Sequence, residues 1–371
     1  MNKTLPIKAK WFCLGLDLDL KNRPANHQMN LPVQQLAAAL VRLLLAASLI
    51  AHPVSCPAAR PPKSPHTLAE LCARLDKCLH APRFTGALWG VQIVALKSGK
   101  TLYACHPDRL MSPASNSKLY TAALALDTLG GDYRIQTPVC ATRLPDDFGR
   151  IQGDLILSGR GDPSWHAANF QDNFAPLIAV LAHAGVRSIS GDLVIDDTFF
   201  TGPPTGSSWS VDDLSESYGA EISAFSLADN VTPIRVMPGP KAGTACKLEV
   251  AWPDTDITLI NRVQTIPPGG RGHLAAYRPP GSRNYYILGG MPAGGDVVDL
   301  EVPVPEPALW FGTALKAALE QNGITISGTV KTIAWPEVPP GNQNNLVKLG
   351  EVSSPPLRDL IRGFMKPSQN L

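Results

Sequence analysis

The chain has 371 residues, of which 44% are hydrophobic and 17% are charged. This composition predicts a globular protein of roughly two or three domains and excludes an intrinsically disordered chain. The formal net charge of +2 comes from the first 56 residues, which hold six Lys or Arg and two Asp, and no dense basic stripe follows. We therefore expect no nucleic-acid partner.

The N-terminal segment, 1–65, predicts a secretory leader and a linker. A short apolar run over 43–51 follows Arg42, and it is too brief for a transmembrane span of about 20 residues. It resembles the apolar region of a signal peptide, and a Pro-rich stretch comes after it. Met29 is an alternative start, while a lipoprotein attached at Cys56 and an apolar N-terminal helix of the fold are competing interpretations. We expect export to the periplasm, which leaves peripheral membrane association open.

Beyond the leader, hydrophobic periodicity predicts alternating helices and strands. Helices are predicted over 67–80 with Thr67 as N-cap, over 115–129 ending at Gly130, and over roughly 174–184 and 307–321. Strands are predicted over 87–96, 101–105, 133–142, 152–159, 191–196, 232–237, 247–252 and 284–288. The region 200–340 is rich in Gly and Pro, so we predict an α+β fold with a β-rich middle.

The seven cysteines form neither a C-x-x-C pair nor a Cys/His cluster with zinc spacing. We therefore expect no metal and no other cofactor. Small buried hydrophobic residues are the favoured interpretation of these cysteines. One disulfide in an oxidising compartment is the alternative, among Cys72, Cys78, Cys105, Cys140 and Cys246.

Ser115 and Lys118 form the strongest chemical motif. They are three residues apart at a predicted helix start, so their side chains share one face of the helix. A serine hydroxyl becomes a nucleophile when a base takes its proton, and a partly desolvated lysine amine can be that base. The helix N-terminus favours negative charge on Ser115 Oγ, and the Ser115 N–H can serve as an oxyanion donor. A capping serine beside a solvated lysine is the alternative.

Ser368 and Asn370 form a second motif, of the type S-x-N. Such a loop can place a hydroxyl and an amide opposite the nucleophile, where the hydroxyl relays a proton to the leaving group. The segment 282–284 has the same spacing but lies in a Pro- and Gly-rich turn, so we favour Ser368. A third motif, K-T-G, is absent, because neither Lys331-Thr332 nor Lys100-Thr101 is followed by glycine.

Several stretches, in this order, resemble the class C low-molecular-mass penicillin-binding proteins, the D-alanyl-D-alanine carboxypeptidase/endopeptidase family. The resemblance covers about 67–371 of the chain. The stretches that carry it are 113–123 around the S-x-x-K motif, 129–134, 153–163, 191–197, 218–230 and 366–370 with the S-x-N motif.

This resemblance implies that Ser115 is acylated by the penultimate D-alanine of a peptidoglycan stem peptide, or cleaves D-alanyl cross-links. It makes Lys118 the general base and places Ser368 and Asn370 in the second catalytic motif. β-Lactams are then expected to acylate Ser115 as covalent inhibitors. Two alternatives remain: a catalytically inactive peptidoglycan-binding fragment, and a β-lactamase or esterase that uses the same Ser/Lys pair.

The resemblance also implies the domain organisation. A penicillin-binding, serine β-lactamase-like transpeptidase domain begins at 66–143, is split by a β-rich insertion at 144–350, and resumes at 351–371. The family continues beyond the S-x-N motif with the strand that carries K-T-G. We therefore expect this chain to be truncated at its C-terminus, with an incomplete transpeptidase domain.

Overall fold

The computed structural model describes Pro65 and residues 67–165, 170–337 and 346–370. The predicted leader lies outside these residues, apart from Pro65. The described residues fall into two compact units, the first up to Leu110 and the second from Met111 onwards. Within the described stretches, the structure contains no helix with the length and apolar character needed to cross a bilayer.

The first unit combines a helix with a β-hairpin. Helix α1 (Leu68–Leu79) begins at the predicted N-cap, where Thr67 Oγ1 accepts a hydrogen bond of 3.1 Å from the Glu70 N–H. Strands β1 (Val91–Val94) and β2 (Thr101–Cys105) pair antiparallel. The Tyr103 hydroxyl donates to Asp76 at 2.6 Å, so the hairpin is tied to the helix. The predicted strand at 87–96 is shorter than expected, because Trp89 packs edge-to-face against Phe84 instead of continuing β1.

The second unit contains the remaining elements, and every element predicted within it is present with bounds shifted by a few residues. Its helices are α2 (Ser117–Leu129), α3 (Phe170–Asn173), α4 (Ala175–His183), α5 (Pro307–Gln321) and α6 (Leu357–Met365). Its strands are β3 (Gln136–Ala141), β4 (Arg150–Ile151), β5 (Leu155–Ser158), β6 (Ser188–Ile189), β7 (Leu193–Asp197), β8 (Val231–Met237), β9 (Lys247–Val250), β10 (Thr258–Ile266), β11 (His273–Tyr277), β12 (Asn284–Pro292), β13 (Val298–Pro303), β14 (Thr325–Ile326), β15 (Val330–Ala334) and β16 (Val347–Ser353).

A mixed five-stranded sheet in the order β15-β7-β5-β3-β16 dominates this unit. Strand β7 runs parallel to β5 and β15, whereas β3 pairs antiparallel with β5 and β16. The four residues that begin β7 are all buried, as expected for a strand covered on both faces. Helix α5 packs on β7 and β15. Gly312 makes this possible, since a Cβ there would lie 2.7 Å from Ile195 Cγ1.

The larger hydrophobic core lies between this sheet and its helices, around Phe311. The Phe311 ring is fully buried and contacts Trp165 and Phe174 edge-to-face, with centroids 5.3 Å away in each case. Smaller sheets complete the unit: the parallel β14-β6-β4, the antiparallel β13-β8-β9 and the mixed β10-β12-β11. The last two share a second core that includes Val236, Tyr285 and Ile287.

The pairing of β3 with β16 brings distant parts of the chain together. Strand β3 follows α2, and β16 leads into α6, with Gln136 opposite Ser353 in the register. The contact continues past the strands, because the Ile135 N–H donates to Ser354 Oγ at 2.9 Å and the Arg358 N–H donates to the Gly131 carbonyl at 3.0 Å. Helices α2 and α6 therefore lie side by side.

The sheet also bears on the predicted domain boundaries. Strand β3 belongs to the predicted segment 66–143, whereas its neighbour β5 belongs to the predicted insertion at 144–350, and β16 spans the predicted boundary at 350/351. The division into these segments and 351–371 stays a prediction. The described cysteines, Cys72, Cys78, Cys105, Cys140 and Cys246, form no disulfide with one another, so that alternative is wrong for them. Only Cys246 is buried, so the favoured interpretation as small buried residues is confirmed for Cys246 and wrong for the other four.

Candidate active site

Ser115 lies in a tight turn that precedes α2. The predicted α-helix starts two residues later than expected, because residues Ala114–Asn116 form a short 3-10 helix. Ala114 has a φ of +44°, in the left-handed region, and its carbonyl accepts a 2.9 Å hydrogen bond from Ser117 Oγ. This turn leaves Ser115 exposed to solvent at the helix N-terminus, where backbone N–H groups lack partners within the helix.

Lys118 lies one turn along, on the same side as Ser115. Its Nζ lies 3.3 Å from Ser115 Oγ, within reach for proton transfer between the two groups. The Lys118 side chain is half-buried, and this burial lowers the pKa of its amine below the ordinary value. Desolvation disfavours the charged ammonium, which moves Lys118 towards the neutral form that a general base requires.

The second predicted motif, S-x-N at 368–370, contacts the same amine although it lies far away in the sequence. Lys118 Nζ donates to the Ser368 carbonyl at 2.7 Å and to Asn370 Oδ1 at 2.5 Å, and it lies 3.3 Å from Ser368 Oγ. Ser368 has a φ of +63°, and this left-handed backbone turns both its carbonyl and its hydroxyl towards Lys118. The structure thus brings all four predicted residues, Ser115, Lys118, Ser368 and Asn370, together at one nitrogen.

The competing motifs lie elsewhere. Ser282 Oγ accepts a 3.0 Å hydrogen bond from the Asn284 N–H in the turn before β12, and Arg283 between them pairs with Asp256. Lys331 lies on edge strand β15 with its Nζ 2.5 Å from an Asp192 carboxylate oxygen. Neither segment contributes a hydrogen bond to Lys118 among the residues that the structure describes.

Sequence reasoning missed the groups that hold the second motif from outside. Gln369, between the two motif residues, donates through Nε2 to Asp229, and its N–H donates to the Phe364 carbonyl at 3.0 Å. Asn370 Nδ2 lies 3.5 Å from the Tyr218 carbonyl. The stretch 218–230 carried a signal, since it was one of the matched stretches, but spacing alone gave no reason to link it to Gln369.

A cavity of about 740 Å³ opens beside the second motif. Aromatic side chains of Trp209, Tyr218 and Phe364 line it together with Ser368 and Asn370. A partly apolar ligand in this cavity therefore lies beside Ser368 and Asn370, the two residues that contact the Lys118 amine. Across the described parts of the chain, the structure contains no group of three or more His, Cys, Asp or Glu side chains that could hold a metal ion.

This geometry supports acyl transfer. A neutral Lys118 amine can take the Ser115 proton, and Ser368 Oγ, also 3.3 Å from that amine, can pass it to a leaving group. The turn before α2 and the helix N-terminus direct positive potential at Ser115, which favours negative charge on the attacked carbonyl oxygen. Such a reaction has a distinct role for each of the four groups, the hydroxyl of Ser115, the amine of Lys118, the hydroxyl of Ser368 and the amide of Asn370.

Comparisons with known proteins agree with this chemistry. The D-Ala-D-Ala carboxypeptidase 3 (S13) family model matches residues 71–371. The chain is 34% identical over 309 residues to a D-alanyl-D-alanine carboxypeptidase of Actinomadura sp. (strain R39), a match that covers 82% of this chain and 56% of that protein. The chain thus spans about half the length of the curated relatives it matches.

Solved structures give the same result for the fold. The crystal structure of penicillin binding protein 4 from Haemophilus influenzae matches with a TM-score of 0.64 at 23% identity, covering 76% of this chain and 59% of that one. A second structure of that protein, complexed with a β-lactam, matches with a TM-score of 0.54 at 21% identity, covering 74% and 56%. The predicted α+β fold of the penicillin-binding type is confirmed.

Proposed function

Because the chain belongs to the D-Ala-D-Ala carboxypeptidase 3 (S13) family, we propose that it is a serine-type D-Ala-D-Ala carboxypeptidase/endopeptidase acting on peptidoglycan stem peptides. The observation that carries this proposal is the position of the Lys118 amine, 3.3 Å from both Ser115 Oγ and Ser368 Oγ. One base thus lies between the nucleophile and a proton relay, as acylation by an amide substrate requires.

The proposed reaction has two halves. In the first, Ser115 Oγ loses its proton to Lys118 Nζ and attacks the carbonyl carbon of the penultimate D-alanine. The C–N bond then breaks, the leaving amine receives a proton through Ser368 Oγ, and an ester forms on Ser115. In the second half, water attacks that ester with Lys118 again as base, which releases the shortened peptide and restores the hydroxyl.

The cavity beside Ser368 supplies a binding place for the substrate. Its aromatic residues Trp209, Tyr218 and Phe364 offer apolar surface to the side chains of a stem peptide, while Asn370 presents its amide at the reacting end. A β-lactam carries the same kind of reactive amide in a strained ring. We therefore propose that β-lactams acylate Ser115, in line with the β-lactam complex of the Haemophilus protein.

The proposed substrate supports a location outside the cytoplasm. Peptidoglycan stem peptides lie in the extracytoplasmic compartment, and the signal-like segment at 43–51 provides a route there. We propose a periplasmic location for the mature chain, where it meets its substrate.

Release of D-alanine from a peptide ending in D-Ala-D-Ala tests this function. The wild-type chain is expected to release D-alanine and to bind a fluorescent penicillin covalently. Ser115→Ala should abolish both signals, whereas Ser282→Ala, in the competing motif, should leave both unchanged. A folded wild-type chain that neither releases D-alanine nor binds penicillin would exclude the proposed activity and favour a peptidoglycan-binding role. Rapid turnover of a chromogenic β-lactam would instead favour a β-lactamase.

A further inference from the structure

Asp229 lies at the tip of a left-handed turn that the fold holds in place. Three consecutive residues, Ala228, Asp229 and Asn230, have φ values of +50°, +58° and +55°. Residues other than glycine rarely adopt this conformation, because it is strained unless the surrounding structure enforces it. A turn of this kind therefore needs strong support from the rest of the molecule.

That support comes from buried hydrogen bonds on both sides of Asp229. Asn230 is fully buried, and its side chain accepts from the Leu227 N–H at 3.1 Å and donates to the Glu221 carbonyl at 3.1 Å. The Asn230 carbonyl accepts from the Val304 N–H at 2.8 Å, which fixes the turn to the end of β13. The backbone that carries Asp229 is thus anchored in the core rather than on a free loop.

The Asp229 side chain points from this anchored turn to the second motif. Its Oδ1 accepts the hydrogen bond from Gln369 Nε2 described above, and both side chains line the cavity. Gln369 lies between Ser368 and Asn370, the two residues whose oxygens surround Lys118 Nζ. The contact with Asp229 is therefore made by the residue that joins Ser368 to Asn370 along the backbone.

We propose that Asp229 is a positioning residue that acts through Gln369 to hold Ser368 and Asn370 against Lys118. A hydrogen bond from an amide to a carboxylate is stronger than one between neutral groups, so Asp229 fixes Gln369 more firmly than a neutral acceptor would. The Asn370 contact with the Tyr218 carbonyl, at 3.5 Å, is long and gives weaker support on the same side. This inference rests on the proposed acyl-enzyme function for its consequence, but not for the contact itself.

Exchanging the hydrogen-bond donor and acceptor between positions 369 and 229 tests whether Asp229 acts through Gln369. Gln369→Glu places a carboxylate against Asp229, and the repulsion should lower the rate of penicillin acylation at least about tenfold. Asp229→Asn combined with Gln369→Glu restores a hydrogen bond in the reverse direction, because the amide introduced at position 229 can donate to the carboxylate introduced at position 369. We expect the double variant to recover acylation to within about threefold of wild type, a coupling that independent sites would not give.

Hydrogen exchange separates this inference from the proposed function, because it needs no activity. In Asp229→Ala, the backbone amides of 366 and 368–370 should exchange roughly tenfold faster than in wild type. Asp254→Ala is the matched control, since Asp254 has the same φ of +58° but lines the smaller cavity beside Arg283 and Glu306. It should leave exchange of 366–370 unchanged.

The outcomes are distinct. Faster exchange in Asp229→Ala together with rescue by the double variant supports the inference. Unchanged exchange of 366–370 in Asp229→Ala, with the thermal midpoint of the variant retained, overturns it. If wild type binds no penicillin but exchange changes as expected, the acyl-enzyme function fails while the positioning contact stands.

Discussion

Two regions of the second unit contrast in how their residues are held. Around Phe311, the core consists of fully buried aromatic and aliphatic side chains that contact one another on every side. Around Lys118, the site consists of exposed or half-buried polar side chains, Ser115, Ser368 and Asn370, joined by hydrogen bonds to one amine. Burial of apolar surface stabilises the first region. The residues of the second region are held in place by the elements that carry them, the turn before α2, α2 itself and the segment after α6.

The contrast indicates that stability and reactivity are separable in this molecule. The antiparallel pair β3–β16 connects the two regions, because both strands belong to the core sheet, β3 follows α2 and β16 leads into α6. Substitutions in the core should therefore lower the free energy of unfolding, whereas substitutions at the amine should lower the acylation rate of a chain that remains folded.

Lys118→Ala gives the largest expected effect. Loss of the general base should slow acylation of Ser115 by penicillin roughly 100- to 10,000-fold, with little change in the thermal midpoint. Stopped-flow or quenched labelling with a fluorescent penicillin measures the rate. Lys331→Ala is the matched control, because the Lys331 side chain on β15 is 61% exposed and pairs with Asp192, so its loss should leave the rate within about twofold of wild type. A Lys118→Ala variant that acylates at the wild-type rate would refute its role as base.

Phe311→Ala should have the opposite effect to Lys118→Ala, because it lowers the stability of the fold instead of removing a group that acts on Ser115. Removal of the fully buried ring leaves a cavity between Trp165, Phe174 and Phe225, and we expect the free energy of unfolding to fall by about 3–5 kcal/mol. Urea titration followed by tryptophan fluorescence measures this change. Phe148→Ala, at a ring that is 71% exposed, should cost less than about 1 kcal/mol. If the two variants lost equal stability, the core would not lie where the structure has it.

The sequence predicted the core around Phe311 and the site around Lys118 to different extents. The buried run of β7 and the helix α5 follow from apolar periodicity, and the S-x-x-K spacing at a helix start predicted that Ser115 and Lys118 share one face of the helix. The S-x-N pattern and the resemblance both pointed to Ser368, but neither says how two residues 250 positions apart come into contact. The pairing of β3 with β16 that closes this gap is non-local, and local periodicity carries no information on strand partners.

Asp229 shows a second limit of sequence reasoning. Three successive left-handed residues without a glycine contradict local preference, so no turn signal predicts them. Their conformation is supported by buried hydrogen bonds to residues distant in sequence, such as that from the Val304 N–H to the Asn230 carbonyl. The contact with Gln369 emerges only when those constraints are combined in three dimensions.

Asp197 is an ionisable residue in the core sheet, at the end of β7. Burial at the end of β7, together with the neighbouring Asp196, raises the pKa of the Asp197 carboxyl from its ordinary 3.8 to about 6, although it accepts hydrogen bonds from Ser223 Oγ and the Ala224 N–H. The native state therefore binds this proton more tightly than the unfolded chain. Its contribution to stability is complete below about pH 4 and is lost as the pH rises through about 6.

We expect the free energy of unfolding to fall by on the order of 2 kcal/mol between about pH 4 and pH 7 through this one group. Asp197→Asn should remove that part of the pH dependence, because an amide does not ionise. Urea titrations of both proteins across this range give the difference. A wild-type profile with the same slope as the Asp197→Asn profile would show that Asp197 has an ordinary pKa.

The smallest expected effect lies in the first unit, outside both the core around Phe311 and the site around Lys118. Thr67→Ala removes the acceptor for the Glu70 N–H and should destabilise α1 by about 1 kcal/mol. Hydrogen exchange of 68–79 should accelerate several-fold, while acylation of Ser115 stays at the wild-type rate. Thr85→Ala, whose hydroxyl donates to the Pro82 carbonyl but caps no helix N-terminus, should leave exchange of α1 unchanged.

Peptide mapping of the covalent penicillin adduct tests the central claim most directly. The intact mass of the folded chain should increase by that of one penicillin molecule, and fragmentation of the peptide that spans the turn before α2 should place the adduct on Ser115. The same treatment of Ser115→Ala should give no adduct. An adduct on Ser117 or at any other residue, or no adduct on a folded wild-type chain, would contradict the assignment of Ser115 as the nucleophile.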